Sequence, residues 1–241
     1  MEHWIQHICE PSRLLLAWQS PDPSGERTRF AVAELVPDGA DCILRYLEGP
    51  ETQRAKELGF VGYPAFDIDQ SEHRGGVLAA FVRRIPPRVR SDFAAYKAQF
   101  RIKPELRLSD FALLAYTGAK LPSDGFSIVD TLEGTCPPCE FVLEVAGYRH
   151  YTDKLSPPPA IGAAVQLVAE PENVVDKSAI AMKVSGQIIG YINRLQTAAF
   201  HRWMRAKDID AVVERLNGPT DRPRAYVFVS VRNRDSARLA V

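Results

Sequence analysis

The stretch that decides the fold begins FVLEVAGYRHY (141–151) and resumes, after a Pro-rich segment, as IGAAVQLVAEPENVVDKSAIAMKVSGQIIGYINRLQTAAFHRWM (161–204). Short apolar runs bounded by turn residues predict strands. They lie at Cys139–Gly147, Ala164–Glu170, Ile180–Val184, Gln187–Asn193 and Arg224–Arg232. A helix is predicted over Leu195–Arg205, and a second near Asp208–Leu216. Short strands at such close spacing indicate a small β-barrel with one or two helices.

The first half of the chain predicts a separate α+β domain. The runs Leu14–Gln19 and Thr28–Val36 read as a hairpin closed by the turn PDPSGE (21–26), with a third strand at Cys42–Leu47. Apolar residues then recur at helical spacing between Val77 and Ala115, which predicts three short helices. A turn-rich segment precedes Cys139, so we expect domains at 1–135 and 139–241. The fold class is therefore α+β.

Composition narrows the class of protein only slightly. The chain has 241 residues, of which 46% are hydrophobic and 25% are charged, with zero net charge. Residues 140–241 carry 14 basic and 11 acidic side chains, a weak excess in the direction that nucleic-acid binding requires. The apolar runs are too short to span a membrane, and the start MEHWIQHICEPSR lacks secretory-signal features, so a cytoplasmic protein is expected.

Aromatic and basic residues are grouped in GYRHY (147–151) at a predicted strand end. Alternation along a strand would send two of these side chains to each face. A ring beside a guanidinium suits an unstacked base and its phosphate, which makes Arg149, His150 and Tyr151 candidate nucleic-acid ligands. The alternative is a tyrosine packed on the barrel and covered by the arginine.

The segment EPENVVDKSAI (170–180) places polar residues in a turn between two strands. Asn173 sets the bend, and Asp176 either stabilises the turn or accepts a hydrogen bond from a sugar hydroxyl at a chain end.

The next strand closes at Tyr191 and leads through Arg194 into a helix with a basic flank that includes Arg202. Such flanks are usually only solvated. Asn193 or Thr197 could cap this helix and leave its N-terminus beside Arg194 as an anion site.

Residues 141 to about 232 contain three sequence elements in this order: G-x-R-x-Y, E-P-x-N-x-x-D-x-x-A-I and I-G-Y. In their order and spacing these elements resemble a HIRAN domain. The resemblance implies a small OB/SH3-like barrel without catalytic activity that binds nucleic acid, single-stranded DNA or DNA 3′ ends. It carries binding roles onto six positions: Arg149, Tyr151, Asn173, Asp176, Tyr191 and Arg194. Asp176 would accept the terminal hydroxyl.

The chain departs from the pattern of eukaryotic HIRAN domains at His150, where an aromatic Tyr is usual, and at Val174 and Val175, where a Pro-Tyr pair is expected. The loss of that tyrosine favours general single-strand or duplex-end binding over tight end-capping. The N-terminal half contains the predicted hairpin, then LRYLEGP (44–50), GYPAF (62–66) and R-x-D-F-x-x-Y (90–96). In these segments it is similar to the first subdomain of HipA-type proteins, but it has no kinase motif. A protein-interaction module of a toxin–antitoxin or phage-defence system, docking a kinase-like or translocase partner, is therefore the alternative function.

Other residues invite functional readings that we weigh lower. A metal-dependent nuclease would need the cluster Glu170, Glu172, Asp176 and Lys177. The pair Cys136 and Cys139 has metal or redox spacing but lacks further ligands, and no cofactor is expected. A series of cations could extend a nucleic-acid track or simply pair with acids such as those of Asp67–Glu72: Arg83, Arg84, Arg88, Arg90, Lys97, Arg101, Lys103 and Arg107.

Overall fold

A computed structural model describes residues 3–22, 28–121 and 124–234. The chain divides into two compact units. The N-terminal unit comprises residues 10–99 and 104–134, and the barrel unit comprises residues 1–9, 100–103 and 135–241. Residues 1–9 and 100–103, which the sequence placed in the first domain, therefore group with the barrel. None of the helices in the described ranges is both long and apolar enough to cross a membrane.

The N-terminal unit is built on one antiparallel sheet in the order β4-β3-β2-β1-β5. Its strands are β1 Leu14–Trp18, β2 Phe30–Asp38, β3 Asp41–Tyr46, β4 Glu72–His73 and β5 Phe126–Asp130. Strand β1 is central and buried along its whole length. The hairpin of β1 and β2 is as predicted, while most of its PDPSGE turn lies outside the described residues.

Four helices accompany this sheet, one more than predicted: α1 Pro50–Glu57, α2 Val77–Val82, α3 Phe93–Ala98 and α4 Asp110–Thr117. The missed helix α1 begins with Pro50 at its first turn and carries Glu51 there, both favourable N-terminal residues. Helix α1 was not predicted because its apolar residues form only a weak helical pattern. The start of α2 is held by Asp41, whose carboxylate accepts hydrogen bonds from the backbone N–H groups of Gly76 at 2.6 Å and Leu78 at 2.7 Å.

Three cations of the first half are neutralised by nearby acids. Arg84 is 7% exposed and forms a bidentate pair with Asp124 at 2.8 and 2.9 Å. Arg88 pairs with Asp110, and Arg90 pairs with Asp92. The partners are not the acids of Asp67–Glu72 that the sequence suggested. These three arginines therefore do not offer an uncompensated charge to a nucleic-acid backbone.

The barrel unit contains two three-stranded antiparallel sheets, in the orders β10-β11-β6 and β7-β8-β9. Its elements are β6 Cys139–Glu144, β7 Gln166–Ala169, β8 Ile180–Val184, β9 Gln187–Tyr191, α5 Thr197–Ala206, β10 Lys207–Asn217 and β11 Arg224–Asn233. Two backbone bridges join the sheets, Ala146 with Tyr191 and Ala164 with Val212. The six strands thus form a small barrel, as predicted, in which β7 and β10 meet only near the second bridge.

Strand β10 replaces the second helix that was predicted near Asp208–Leu216. Its side chains alternate, so that Ala211 and Val213 are buried while Asp210 is exposed. The β-branched pair Val212–Val213 favours this extended conformation, and pairing with the whole of β11 stabilises it. Helix α5 packs on the barrel through Trp203, whose ring lies parallel to that of Phe141 at a centroid distance of 6.1 Å.

The leading residues 1–9 are part of the barrel unit through specific contacts. His3 stacks on Phe228 at 5.1 Å and lies 3.2 Å from the carboxylate of Glu214, which is 7% exposed and also pairs with Arg101. The backbone N–H of Ile5 donates to Arg101 at 2.8 Å, and the Ile5 side chain is fully buried.

Replacing Ile5 by Ala should weaken the barrel unit by about 2–4 kcal/mol, because the substitution leaves a cavity under a fully buried side chain. Native-state hydrogen exchange of the β10 and β11 amides would measure the loss. Gln6→Ala, at the exposed neighbouring position, serves as the matched control. Equal protection in the Ile5 variant and the wild type would show that residues 1–9 do not support the barrel.

The carboxyl of Asp130 gives the N-terminal unit a pH dependence. Burial raises the pKa of Asp130 to about 6, although the N–H of Leu132 donates to its Oδ1 at 2.8 Å and opposes the shift. A carboxyl whose pKa is higher in the folded state binds more protons when folded. Stability therefore falls as pH rises from about 4 to about 6 and stays lowered above that range.

Asp130→Asn should accordingly raise the free energy of unfolding at neutral pH by up to about 3 kcal/mol, since Asn keeps the acceptor for Leu132 without the buried charge. Urea unfolding at a series of pH values would test this. The gain should vanish at the acid end of the series. A gain that is independent of pH would contradict the proposed cause.

Candidate nucleic-acid interface

The aromatic and basic row after β6 does not continue the strand as predicted. Gly147 adopts a left-handed conformation with φ 76°, and the chain then forms two 3₁₀ turns, Tyr148–His150 and Thr152–Lys154. Strict alternation of the row is therefore wrong, because the glycine ends the extended backbone. Tyr148 packs inward at 7% exposure, while the Arg149 Nε lies 3.2 Å from the His150 Nε2.

Tyr151 follows the first 3₁₀ turn and meets Tyr191 at the end of β9. Their ring centroids lie 6.1 Å apart with the planes inclined at 59°. Hydrogen bonding to Tyr151, burial and the negative charge of Glu170 all raise the pKa of Tyr191, so its hydroxyl stays protonated. That hydroxyl donates to Glu170 Oε2 at 3.2 Å.

The loop between β7 and β8 is organised around Glu170 and Asn173. Glu170 Oε2 accepts a second hydrogen bond, from Asn173 Nδ2 at 2.9 Å. Asn173 Oδ1 in turn accepts from the backbone N–H groups of Val175 at 3.0 Å and Asp176 at 3.1 Å. A continuous network therefore runs from the tyrosine pair on the barrel to the acid-bearing turn.

Asp176 ends this network as an ionised acceptor. Its Oδ1 accepts from Ser178 Oγ at 2.6 Å and from the Ser178 N–H at 2.8 Å. The Ser178 hydroxyl contributes most to lowering the pKa of Asp176, with help from the positive charges of Arg194 and His201. Within the described residues Asp176 Oδ2 makes no hydrogen bond, so one carboxylate oxygen can accept from a ligand.

Helix α5 approaches the same loop at its start. It begins at Thr197 with Gln196 as N-cap, and no side chain caps it, so the predicted capping by Asn193 or Thr197 is wrong. Asn193 Oδ1 instead accepts from the Leu195 N–H at 3.1 Å in the preceding turn, and Thr197 donates to Arg194 O at 3.0 Å.

Two residues of α5 contact the loop at Ser178: Thr197 Oγ1 lies 3.4 Å from the Ser178 hydroxyl, and His201 Nε2 lies 2.9 Å from the Ser178 carbonyl oxygen. The predicted ligand Arg202 is the next residue along the helix. Its guanidinium lies 5.9 Å from the ring centroid of Trp203.

Two apolar side chains project from the tip of this loop. Val174 is 99% exposed and Val175 is 91% exposed, directly before Asp176. Asn173 holds the backbone beneath them. A rigid loop that presents bare valines to solvent is unusual, and such residues commonly mark a contact surface.

Five of the eight predicted site residues belong to one network of contacts: Tyr151, Asn173, Asp176, Tyr191 and Arg194. Arg149 and His150 lie one turn before Tyr151, and Arg202 lies on α5. Sequence reasoning missed the roles of Glu170, Ser178 and His201. The sequence places Glu170 in the turn and in the nuclease cluster, but it does not predict the bond to Asn173, although a spacing of three residues fits a bond within one turn.

The cysteines form a different contact from the one their spacing suggested. A hydrogen bond with Cys9, together with burial, raises the pKa of the Cys139 thiol, whereas Cys136 is exposed. Across the described ranges, no group of three or more His, Cys, Asp or Glu side chains has an arrangement that could hold a metal ion.

Comparison with known proteins finds matches for the barrel unit. The HIRAN domain family model matches residues 139–233. The barrel unit carries a HIRAN domain. Among solved structures, the crystal structure of the HIRAN domain of human HLTF is similar, with 23% sequence identity and a TM-score of 0.33 over 42% of this chain and 82% of that chain. No curated protein matches the chain. The family model does not reach the N-terminal unit, whose resemblance to HipA-type proteins stays a prediction.

The network predicts that Glu170→Ala loosens the β7–β8 loop, because Asn173 and the Tyr191 hydroxyl both lose their shared acceptor. Two hydrogen bonds to a charged group together contribute about 1–3 kcal/mol after solvent compensation. Hydrogen exchange of the Val175 and Asp176 amides should accelerate accordingly. Glu172→Ala removes an exposed acid from the same loop and should leave those amides unchanged. Equal acceleration by both variants would refute the role of Glu170.

Proposed function

We propose that this protein binds DNA without catalysing a reaction and that its HIRAN domain holds a single strand or a 3′ end at the β7–β8 loop. HIRAN domains are known in general as DNA-binding modules that recognise DNA ends. The observation that carries the proposal is the Asp176 carboxylate, whose Oδ1 is held by the Ser178 hydroxyl and N–H while Oδ2 makes no hydrogen bond to the described residues.

Each group of residues in the network suits a different chemical group at the end of a DNA strand. The open oxygen of Asp176 accepts a hydrogen bond from a terminal sugar hydroxyl, which an internal phosphodiester does not offer. Arg194 is exposed and supplies a charge for the adjoining phosphate. Tyr151 and Tyr191 offer ring surface to a base, and the bare side chains of Val174 and Val175 offer apolar contact in place of a stacking tyrosine.

The remaining predicted ligands serve the trailing strand in this proposal. Arg149, His150 and Arg202 are cationic or aromatic side chains outside the network, where they would meet backbone or base without fixing the end. The weak basic excess of residues 140–241 agrees with modest, salt-sensitive affinity. A cytoplasmic location fits such a role.

The test compares oligonucleotides that end in a 3′-hydroxyl or a 3′-phosphate, by fluorescence anisotropy at several salt concentrations. We expect the hydroxyl end to bind about tenfold more tightly, which corresponds to about 1.4 kcal/mol, because a phosphate there faces the Asp176 carboxylate. Asp176→Asn should remove most of this preference by strengthening phosphate-end binding, while Asn still accepts from Ser178.

Glu172→Gln makes the same charge change at an exposed position of the loop and should preserve the preference. Equal affinity of the wild type for both ends would remove the end-binding proposal. Affinity that does not depend on salt would remove the nucleic-acid proposal as a whole.

A further inference from the structure

The barrel is open along one seam, between β7 and β10. The two strands bond to each other only near the Ala164–Val212 bridge, where the Val165 N–H donates to Ala211 O and the Val213 N–H donates to Ala163 O, each at 2.8 Å. Beyond this point both strands are sheet edges, β7 paired only with β8 and β10 only with β11. A groove of about 460 Å³ lies between them.

Backbone groups on both sides of the groove point into it. Val165 bonds across to β10, and the Glu170 N–H bonds to β8 through Ala179 O at 2.9 Å. Because hydrogen-bonding direction alternates along a strand, Leu167 and Ala169 face the groove together with Val165. Ile209 faces it from β10. In the part of the chain that the structure describes, the strand edges at these positions have no backbone partner.

The side chains that line the groove set the chemistry of its occupant. Its wall is apolar, formed by Val165, Leu167, Val168, Met204 and Ile209. Its polar lining residues are Gln166 and Lys207, and no acid lines it.

The ammonium group of Lys207 donates to the amide oxygen of Asn233 at 2.7 Å, and no acid among the described residues forms an ion pair with it. The groove therefore favours an occupant with an anionic group near β10.

We propose that this groove binds an extended peptide segment of a partner protein by strand addition. The segment alternates apolar residues, which face Leu167 and Ile209, with polar residues, which face solvent, and carries an acidic residue beside Lys207. A peptide backbone offers N–H and C=O groups at the two-residue period of the open edges. A nucleic-acid strand does not, and the groove has one cation and no aromatic lining to hold it.

The probe is the synthetic peptide acetyl-Glu-Val-Thr-Val-Thr-Val-Thr-amide, titrated into the ¹⁵N-labelled full-length protein. We expect saturable shifts of the amides in β7 and the first half of β10, and slower hydrogen exchange at Leu167, Ala169 and Ile209. The same peptide with every amide N-methylated keeps its side chains but cannot donate hydrogen bonds. It should not bind.

Reversing the charge of Lys207 tests whether the groove selects an acidic residue at that position of the peptide. Lys207→Glu should weaken binding of the Glu peptide about fivefold and strengthen binding of its Lys counterpart by a similar factor. Lys56→Glu, on the exposed face of α1 in the other unit, should change neither affinity. Neither side chain is buried, and an unchanged pattern of amide shifts in the free Lys207 variant would show that it is folded.

Four outcomes would overturn the proposal. They are absence of saturable binding at millimolar peptide, equal binding of the N-methylated peptide, shifts of the same amides by an oligothymidylate, and self-association of the free protein that already protects Leu167, Ala169 and Ile209. The last two would assign the groove to nucleic acid or to a second copy of the chain. None of them depends on whether Asp176 binds a DNA end.

Discussion

The arrangement of the barrel and its site depends on the close backbone contact between Ala146 and Tyr191. The two residues exchange N–H to C=O hydrogen bonds of 2.9 Å and join the sheets on one side. The contact requires Gly190, since a Cβ there would lie 2.5 Å from Ala146 O, and its φ of 144° is strained for other residues. Gly190 of the I-G-Y motif thus allows the two sheets to join. The same bridge places the adjacent Tyr191 next to Tyr151.

A series of polar contacts then connects this bridge to the β7–β8 loop, which carries Asp176. Glu170 is shared by Tyr191 and Asn173, and Asn173 fixes the backbone of Asp176. The bond from Tyr191 to Glu170 joins β9 to the loop, so the acid is held by the barrel as well as by its own turn. Such prior ordering lowers the entropic cost of binding, because the loop need not be fixed when a ligand arrives.

Much of this could be predicted from local patterns, and the failures have physical causes. The strands around Ile180 and the turn through Asp176 follow from alternation and turn chemistry, so the barrel prediction was confirmed. The DIDAVVERLN segment has a charge pattern that suits a helix equally well, and only pairing with β11 decides it. His201 rather than Arg202 faces the loop because the starting residue of α5 sets the helical phase, which the sequence does not specify. Glu170 has no distinguishing local signal, since its partner Tyr191 is distant in the chain.

The assignment of the first nine residues to the barrel unit has a consequence for biosynthesis. His3 is synthesised before Glu214 and Phe228, against which it packs. The intervening unit has its own sheet and can mature while translation continues. Ile5 therefore stays uncovered until the strands of the barrel unit have been synthesised. Contacts between residues so far apart in sequence form slowly, so we expect the barrel unit to fold later than the intervening unit.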